Sequence, residues 1–213
     1  MNRLIRVIAV LIAIPCTNYS HAGVISFLND YEGWLEAAGG VAQEIDFETL
    51  PNGDPSQAGF PITEHFNYTD QGVTFSAVPT DVDVLLIIVG NDVGGVGLAA
   101  FGNSLEVGIV STFVEPAFAA GVFFPGFTTF SIYDADGVLL GEEMGGQFPD
   151  PEEFLGFVSD VPIAYTLNTE GTTADVINSF LFVPVPEPTA CVLFCLAFAI
   201  RRTGAFTQRR TDK

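Results

Sequence analysis

The sequence predicts an all-β protein, an antiparallel β-sandwich with one short N-terminal helix. From Val41 onward, short runs rich in Val, Ile, Phe and Thr alternate with clusters of Gly, Pro, Asn and Asp, which is the pattern of strands joined by turns. Helical patterns are few. No repeat of about 20 to 50 residues occurs, which argues against a solenoid or a propeller. About nine or ten short strands therefore favour a sandwich.

Residues 1–22 have the pattern of a signal peptide. Two arginines precede an apolar run from Val7 to Ile14, and a polar stretch with small residues at its third-last and last positions ends at Ala22. We expect signal peptidase to cleave between Ala22 and Gly23. The mature body then begins at Gly23.

The first element of the body is predicted to be a short helix on the side of the sheet. Asn29 or Asp30 is a suitable N-cap, large apolar residues then recur at helical spacing, and Gly39 and Gly40 end the run. We expect Trp34 to anchor this helix in the core rather than to form a sugar-stacking platform.

The strands follow in chain order. The run 82–89 is continuously apolar, which predicts a strand covered on both faces. The tetrapeptide from Asp134 to Gly137 predicts a compact hairpin turn; the further oxygen ligands of a calcium loop are missing. The predicted strand runs are 43–48, the second part of 67–76, 82–89, 104–110, 117–124, 128–133, 138–142, 154–159, 163–168 and 176–183.

The charge of the body is entirely acidic. From Gly23 to Pro186 there is no Lys or Arg, whereas 24 of the 26 Asp and Glu lie there once Glu187 and Asp212 are subtracted. Nucleic acid is therefore excluded as a partner by repulsion. A buried carboxylate in this body must be protonated, hydrogen-bonded or metal-bound, and Ca²⁺ is the natural counter-charge. The alternative is that these carboxylates simply face solvent.

The same composition excludes several kinds of catalytic site. The body contains no Cys and a single His, His65, so thiol catalysis and His-clustered metal sites are excluded. Paired carboxylates remain, since a glycosidase needs two of them. We interpret Glu142-Glu143 and Glu152-Glu153 as solvated loop charges, and no catalytic residue is assigned.

The tail, residues 184–213, has the order of a sorting signal. Its parts are the tripeptide Pro186, Glu187 and Pro188, the apolar run Thr189 to Ile200, and the basic pair Arg201 and Arg202. This tail resembles the PEP-CTERM signal of bacterial envelope proteins, in which an exosortase-type membrane transpeptidase recognises Pro-Glu-Pro. The resemblance implies a C-terminal transmembrane helix with a cytoplasmic basic end.

A second resemblance concerns residues 41 to 183. The strings Ile45-Asp46-Phe47-Glu48 and Gly72-Val73-Thr74-Phe75 are similar to the opening of jelly-roll ectodomains often carried by PEP-CTERM proteins. Related carbohydrate-binding sandwiches hold a structural calcium between the first and last strands. The resemblance places its ligands at Glu48 and Asn178, although Asp is usual at the second position.

Together these observations define three regions: a signal peptide (1–22), an acidic ectodomain (23–183) and a sorting tail (184–213). We expect a non-catalytic protein that is exported, anchored through its tail before processing, and then carried on the cell surface or in the extracellular polysaccharide matrix. Its expected ligands are glycans or divalent cations. The alternatives are a carboxylate-dependent glycan-processing enzyme and a purely structural coat protein.

Overall fold

The structure is a computed structural model that describes residues 23–78, 84–90, 96–102, 107–146, 153–170 and 174–185. These residues form one α-helix, α1 (Tyr31–Ala37), and one 3-10 helix (Tyr68–Gln71). Their strands are β1 (Val24–Leu28), β2 (Gln43–Ile45), β3 (Val73–Val78), β4 (Leu85–Val89), β5 (Gly97–Phe101), β6 (Gly108–Phe124), β7 (Thr128–Tyr133), β8 (Leu139–Gly145), β9 (Glu153–Thr169), β10 (Ala174–Ile177) and β11 (Ser179–Pro184).

The strands form two antiparallel sheets around a common core. The larger sheet has the order β2-β11-β6-β9-β7-β8, with β1 added on β9 and β3 on β6, and the smaller sheet has the order β10-β5-β4. Buried side chains of the small sheet, such as Ile88 and Leu98, belong to the same cluster as Phe75 and Ile109 of the large sheet. The predicted all-β class with antiparallel sheets and one short helix is thereby confirmed.

The large sheet folds over on itself along two long strands. The register between β6 and β9 shifts between Thr112 and Ala117 and again before Ala119, and such irregularities bend strands. The β7–β8 hairpin, paired to the second half of β9, consequently packs over the first half, where a Cβ on Gly141 would lie 3.1 Å from the ring of Phe157. The sequence predicted four separate strands here, but they join into two.

Helix α1 forms as its sequence predicts. The carboxylate of Asp30 caps it by accepting a hydrogen bond from the Gly33 N–H at 3.0 Å, and Gly39 and Gly40 follow with positive φ angles of 92° and 80°. Trp34 is fully buried, and its indole N–H donates to the Phe157 carbonyl oxygen at 3.1 Å. The interpretation of Trp34 as a core anchor is confirmed.

The small sheet departs from the sequence prediction. The strand β5 (Gly97–Phe101) was not predicted, and β4 is not covered on both faces, because Leu85 is 53% exposed. The predicted strand 176–183 is divided at Asn178, whose N–H donates to the Phe123 carbonyl oxygen at 2.7 Å. The division sends β10 to the small sheet and β11 to the large one.

The predicted strand 43–48 ends early, at Ile45. Phe47 has a φ angle of 57°, in the left-handed region, which turns the chain out of the strand. The same turn buries the Phe47 ring completely, with edge contacts to the rings of Tyr68 and Phe75 at 5.6 and 5.3 Å. The gain in aromatic burial explains why alternation does not continue here.

The signal peptide and the sorting motif lie outside the described residues, as do Ala22 and the predicted transmembrane segment. Gly23 is the first described residue and Val185 the last. None of the helices in the described part of the chain has the length and apolar character needed to cross a bilayer.

Candidate functional site

The outer surface of the folded large sheet carries rows of polar and aromatic side chains. Directly opposed residues of antiparallel strands share a face, and the register aligns β3, β6, β9, β7 and β8. We call this surface the tyrosine face. It consists of Thr74, Thr112, Tyr165 and Tyr133 in one row and Ser76, Val110, Leu167, Ser131 and Glu142 in the next. Ser131 is the buried member of the second row, at 3% exposure.

Two tyrosines form the centre of this face. The rings of Tyr133 and Tyr165 stack with centroids 4.7 Å apart and planes 7° apart, and both side chains are half-buried. The turn between β7 and β8 borders them, since a Cβ on Gly137 would lie 3.5 Å from the Tyr165 hydroxyl. The stacked pair therefore places partly exposed ring carbon beside the tyrosine hydroxyl groups.

A carboxylate extends the polar part of the face. The Ser131 hydroxyl donates to Oε2 of Glu142 at 3.0 Å, which orients an exposed acceptor next to the rings. Aromatic carbon and a few oriented polar groups are the usual features of a surface that binds small polyhydroxylated molecules.

In the second half of β9, the more apolar residues face outward and the polar residues face the core, which is the reverse of the usual arrangement. Tyr165 and Leu167 point outward and are half-buried, whereas Thr166 and Asn168 point inward and are fully buried. Apolar side chains ordinarily occupy the inner face, and polar ones remain outside. Such departures from the local rule are expected at functional sites.

The inward-facing polar residues belong to an interior group that we call the inner polar cluster. It consists of Ser111, Thr128, Thr166, Asn168 and Asp175, each with 0% exposure. Ser111 lies directly opposite Thr166 on the neighbouring strand, and Asp175 reaches the cluster from the small sheet. The cluster thus lies where the two sheets meet.

Asp175 is the one ionisable group among these five residues. Its burial, and secondarily the negative charge of Glu170, raise the pKa of the carboxyl group to about 8. The backbone at Ile109 and Val176 and the Thr128 hydroxyl are close enough to lower this pKa in part. Neither carboxylate oxygen has a partner in good hydrogen-bond geometry among the described residues.

Among the clefts that the described residues line, two lie away from the tyrosine face. The larger, about 420 Å³, lies between the loop after Pro61 and strands β3 and β4 and is mainly apolar. The smaller, about 240 Å³, is lined by residues that include Asp70, Glu115, Gln43 and Phe182.

The residues that the sequence predicted as a calcium site differ in environment. The Glu48 side chain is exposed just after β2, and its backbone N–H donates to Asp46 at 3.0 Å. Asn178 is 5% exposed at the junction of β10 and β11. Their pairing at a calcium ion stays a prediction.

The other candidates from sequence are also placed. His65 is exposed, with its Nε2 atom 3.2 Å from Glu64. Glu142 and Glu143 were interpreted as loop charges, but this is wrong: both lie in strand β8 and accept hydrogen bonds from Ser131 and Ser26. Each carboxylate therefore has a structural partner on a neighbouring strand.

Comparisons with known proteins give no family. No protein-family model matches the chain, and no curated protein matches it. A mutant of a family 29 carbohydrate-binding module, CBM29-2, is 11% identical with a TM-score of 0.33 and covers 55% of this chain and 98% of its own. The enzymatically active domain of bacteriophage CBA120 tailspike protein 4 is 11% identical with a TM-score of 0.31 and covers 59% of this chain and 22% of its own. At these TM-scores, neither structure bears on the ligand of this protein.

Proposed function

We propose that this chain is an exported, surface-sorted and non-catalytic β-sandwich protein that binds glycan on the tyrosine face. The observation that carries the proposal is the outward position of Tyr165 and Leu167, while Thr166 and Asn168 are buried in their place. Exposing apolar carbon and burying polar groups both reduce stability. Binding of a glycan to the outward-facing Tyr165 and Leu167 would give this unfavourable orientation a function.

The negative charge of the body favours uncharged glycans over anionic ones as ligands. With no Lys or Arg from Gly23 to Pro186, anionic polysaccharides are repelled and have no cationic side chain to pair with. Hydroxyl-rich neutral sugars instead offer C–H faces for the rings of Tyr133 and Tyr165 and donors for the Glu142 carboxylate. The expected ligand is therefore a neutral glycan.

Delivery to the surface rests on the two ends of the sequence. Signal peptidase would release Gly23, and an exosortase-type transpeptidase would act at Pro186, Glu187 and Pro188 while Arg201 and Arg202 hold the tail at the cytoplasmic side. Mass spectrometry of the mature protein from cells with and without exosortase tests this route. An intact tail in both would contradict it.

Binding is tested on the exported protein with a glycan array and with isothermal titration calorimetry. The double variant Tyr133→Ser, Tyr165→Ser is expected to weaken neutral-glycan binding by about 10-fold or more, because each buried aromatic contact contributes about 1 kcal/mol or more. Phe127→Ser removes an aromatic that is 41% exposed outside the face and serves as the matched control. Unchanged binding in the double variant, or no binding by the wild type, would overturn the proposal.

The alternative is a glycan-processing enzyme, and one observation favours keeping it. Asp70 and Glu115 line the same small cleft beside Gln43 and Phe182, and two carboxylates are the minimum for glycoside cleavage. A hydrolysis assay distinguishes the two functions. Turnover that is lost in Glu115→Gln would support the enzyme, and binding without turnover would support the binding protein.

A further inference from the structure

The inner polar cluster contains buried polar atoms that have no partner in good hydrogen-bond geometry among the described residues. They are Oγ of Ser111, Oγ1 of Thr128 and Thr166, both amide atoms of Asn168, and both carboxylate oxygens of Asp175. Buried polar groups in folded proteins are nearly always paired. The number of such atoms in this one region indicates that an ion or a water molecule binds there.

Three of these residues, Thr128, Asn168 and Asp175, lie close together. Asn168 lies directly opposite Phe130 of β7, and Thr128 is the preceding inward residue of the same strand. Asp175 extends from β10 and lies close enough to the Thr128 hydroxyl and the Ile109 backbone for both groups to lower the pKa of its carboxyl. The three side chains therefore converge from two strands of the large sheet and one strand of the small sheet.

The counter-charge for Asp175 cannot come from a side-chain cation of the body, which has no Lys or Arg. Glu170, at the end of β9, adds a second negative charge nearby. A buried carboxylate without compensation is strongly unfavourable. The remaining compensations are a proton and a metal ion, and an arrangement of carboxylate, amide and hydroxyl oxygens is the set that a hard cation prefers.

We propose that Asp175, Asn168 and Thr128 bind a divalent cation of the calcium type at the junction of the two sheets. The ion would be held by the two carboxylate oxygens of Asp175, Oδ1 of Asn168 and Oγ1 of Thr128, with Glu170 adding favourable charge. This site is distinct from the one predicted at Glu48 and Asn178. It would hold the small sheet to the large one.

The test uses the exported protein after treatment with EDTA and dialysis. Elemental analysis after return of CaCl2 is expected to give one bound calcium per chain. The melting temperature should rise by about 5 to 10 °C at a calcium concentration 100-fold above Kd, compared with NaCl at equal ionic strength. Absence of bound calcium, or an unchanged melting temperature, would overturn the proposal.

Variants assign the site. Asp175→Asn keeps the shape but removes the charge and should abolish the calcium-dependent shift. Thr128→Val removes one ligand oxygen without changing shape and should raise Kd by about 10-fold, so the test stands even if the first variant does not fold. Asp160→Asn is the control, because Asp160 is exposed on the same strand as Asn168. A Kd that is unchanged in Thr128→Val, together with a shift that is lost in Glu48→Gln, would place the ion at the other predicted site instead.

Discussion

The side-chain amide of Asn67 pairs with both backbone groups of Phe75. Its Oδ1 accepts from the Phe75 N–H at 2.8 Å, and its Nδ2 donates to the Phe75 carbonyl oxygen at 2.6 Å. The amide thus takes the place of a neighbouring strand at one edge of β3. Asn67 begins a formal glycosylation sequon, but its Nδ2 also donates to the Thr63 carbonyl oxygen at 3.2 Å, so both of its hydrogen-bond partners are backbone groups of this chain.

Replacing Asn67 should reduce the free energy of unfolding more than replacing an ordinary loop asparagine does. Asn67→Ala removes three hydrogen bonds to partly buried backbone groups, two to Phe75 and one from the Tyr68 N–H, and should lower the free energy of unfolding by about 2 to 3 kcal/mol in urea denaturation. Asn52→Ala is the control, because the Asn52 side chain hydrogen-bonds with Asp54 in an exposed turn. Equal effects of the two variants would show that Asn67 does not close the strand edge.

Trp34 is the one fully buried side chain of helix α1. Trp34→Ala should lower the free energy of unfolding by about 3 to 5 kcal/mol, because Trp34 is fully buried and its ring lies 5.5 Å from that of Phe154. Trp34→Phe should cost less, since it keeps a ring but leaves the Phe157 carbonyl without the indole donor. Phe127→Ala, an exposed aromatic, should change stability by less than about 0.5 kcal/mol.

The elements that the sequence predicts well are those decided by neighbouring residues. The Asp30 cap and the positive φ angles of Gly39 and Gly40 are local, so the ends of α1 follow from the sequence. The hairpin at Asp134 to Gly137 is local too. Strand ends at Ile45 and Asn178 depend instead on partners distant in the chain, and these were mispredicted.

The candidate sites were not predicted because alternation defines two faces of a strand without saying which one is inside. In the second half of β9, Tyr165 and Leu167 alternate with Thr166 and Asn168, and the apolar pair is the natural choice for the core. The opposite orientation is set by the register with β6 and β7. The available signal in the sequence was that both faces of this strand carry polar atoms, so that the pattern does not decide which face is buried.

In metal-free protein, Asp175 should make stability fall as the pH rises. Its pKa is about 8 in the folded state against 3.8 for the ordinary carboxyl. From about pH 4 to 8 the unfolded state has lost this proton while the folded state keeps it, so the free energy of unfolding decreases, and above about pH 8 no further loss occurs.

The measurement is urea denaturation in EDTA at a series of pH values. Asp175→Asn lacks the titrating group and should show a shallower decline between about pH 5 and 8 than the wild type. Asp160→Asn should keep the wild-type decline, because Asp160 is exposed. Parallel profiles for the wild type and Asp175→Asn would contradict the prediction.

The turn after β7 should be stabilised by the Asp134 side chain itself rather than by a bound ion. Its Oδ1 accepts from the backbone N–H groups of Asp136 at 2.9 Å and Val138 at 2.8 Å. Asp134→Ala should therefore lower the free energy of unfolding by about 1 to 2 kcal/mol, equally with calcium and with EDTA. Asp134→Asn keeps the accepting oxygen and should retain most of the stability. A loss in Asp134→Ala that appears only with calcium would instead show that this turn is a metal-binding loop.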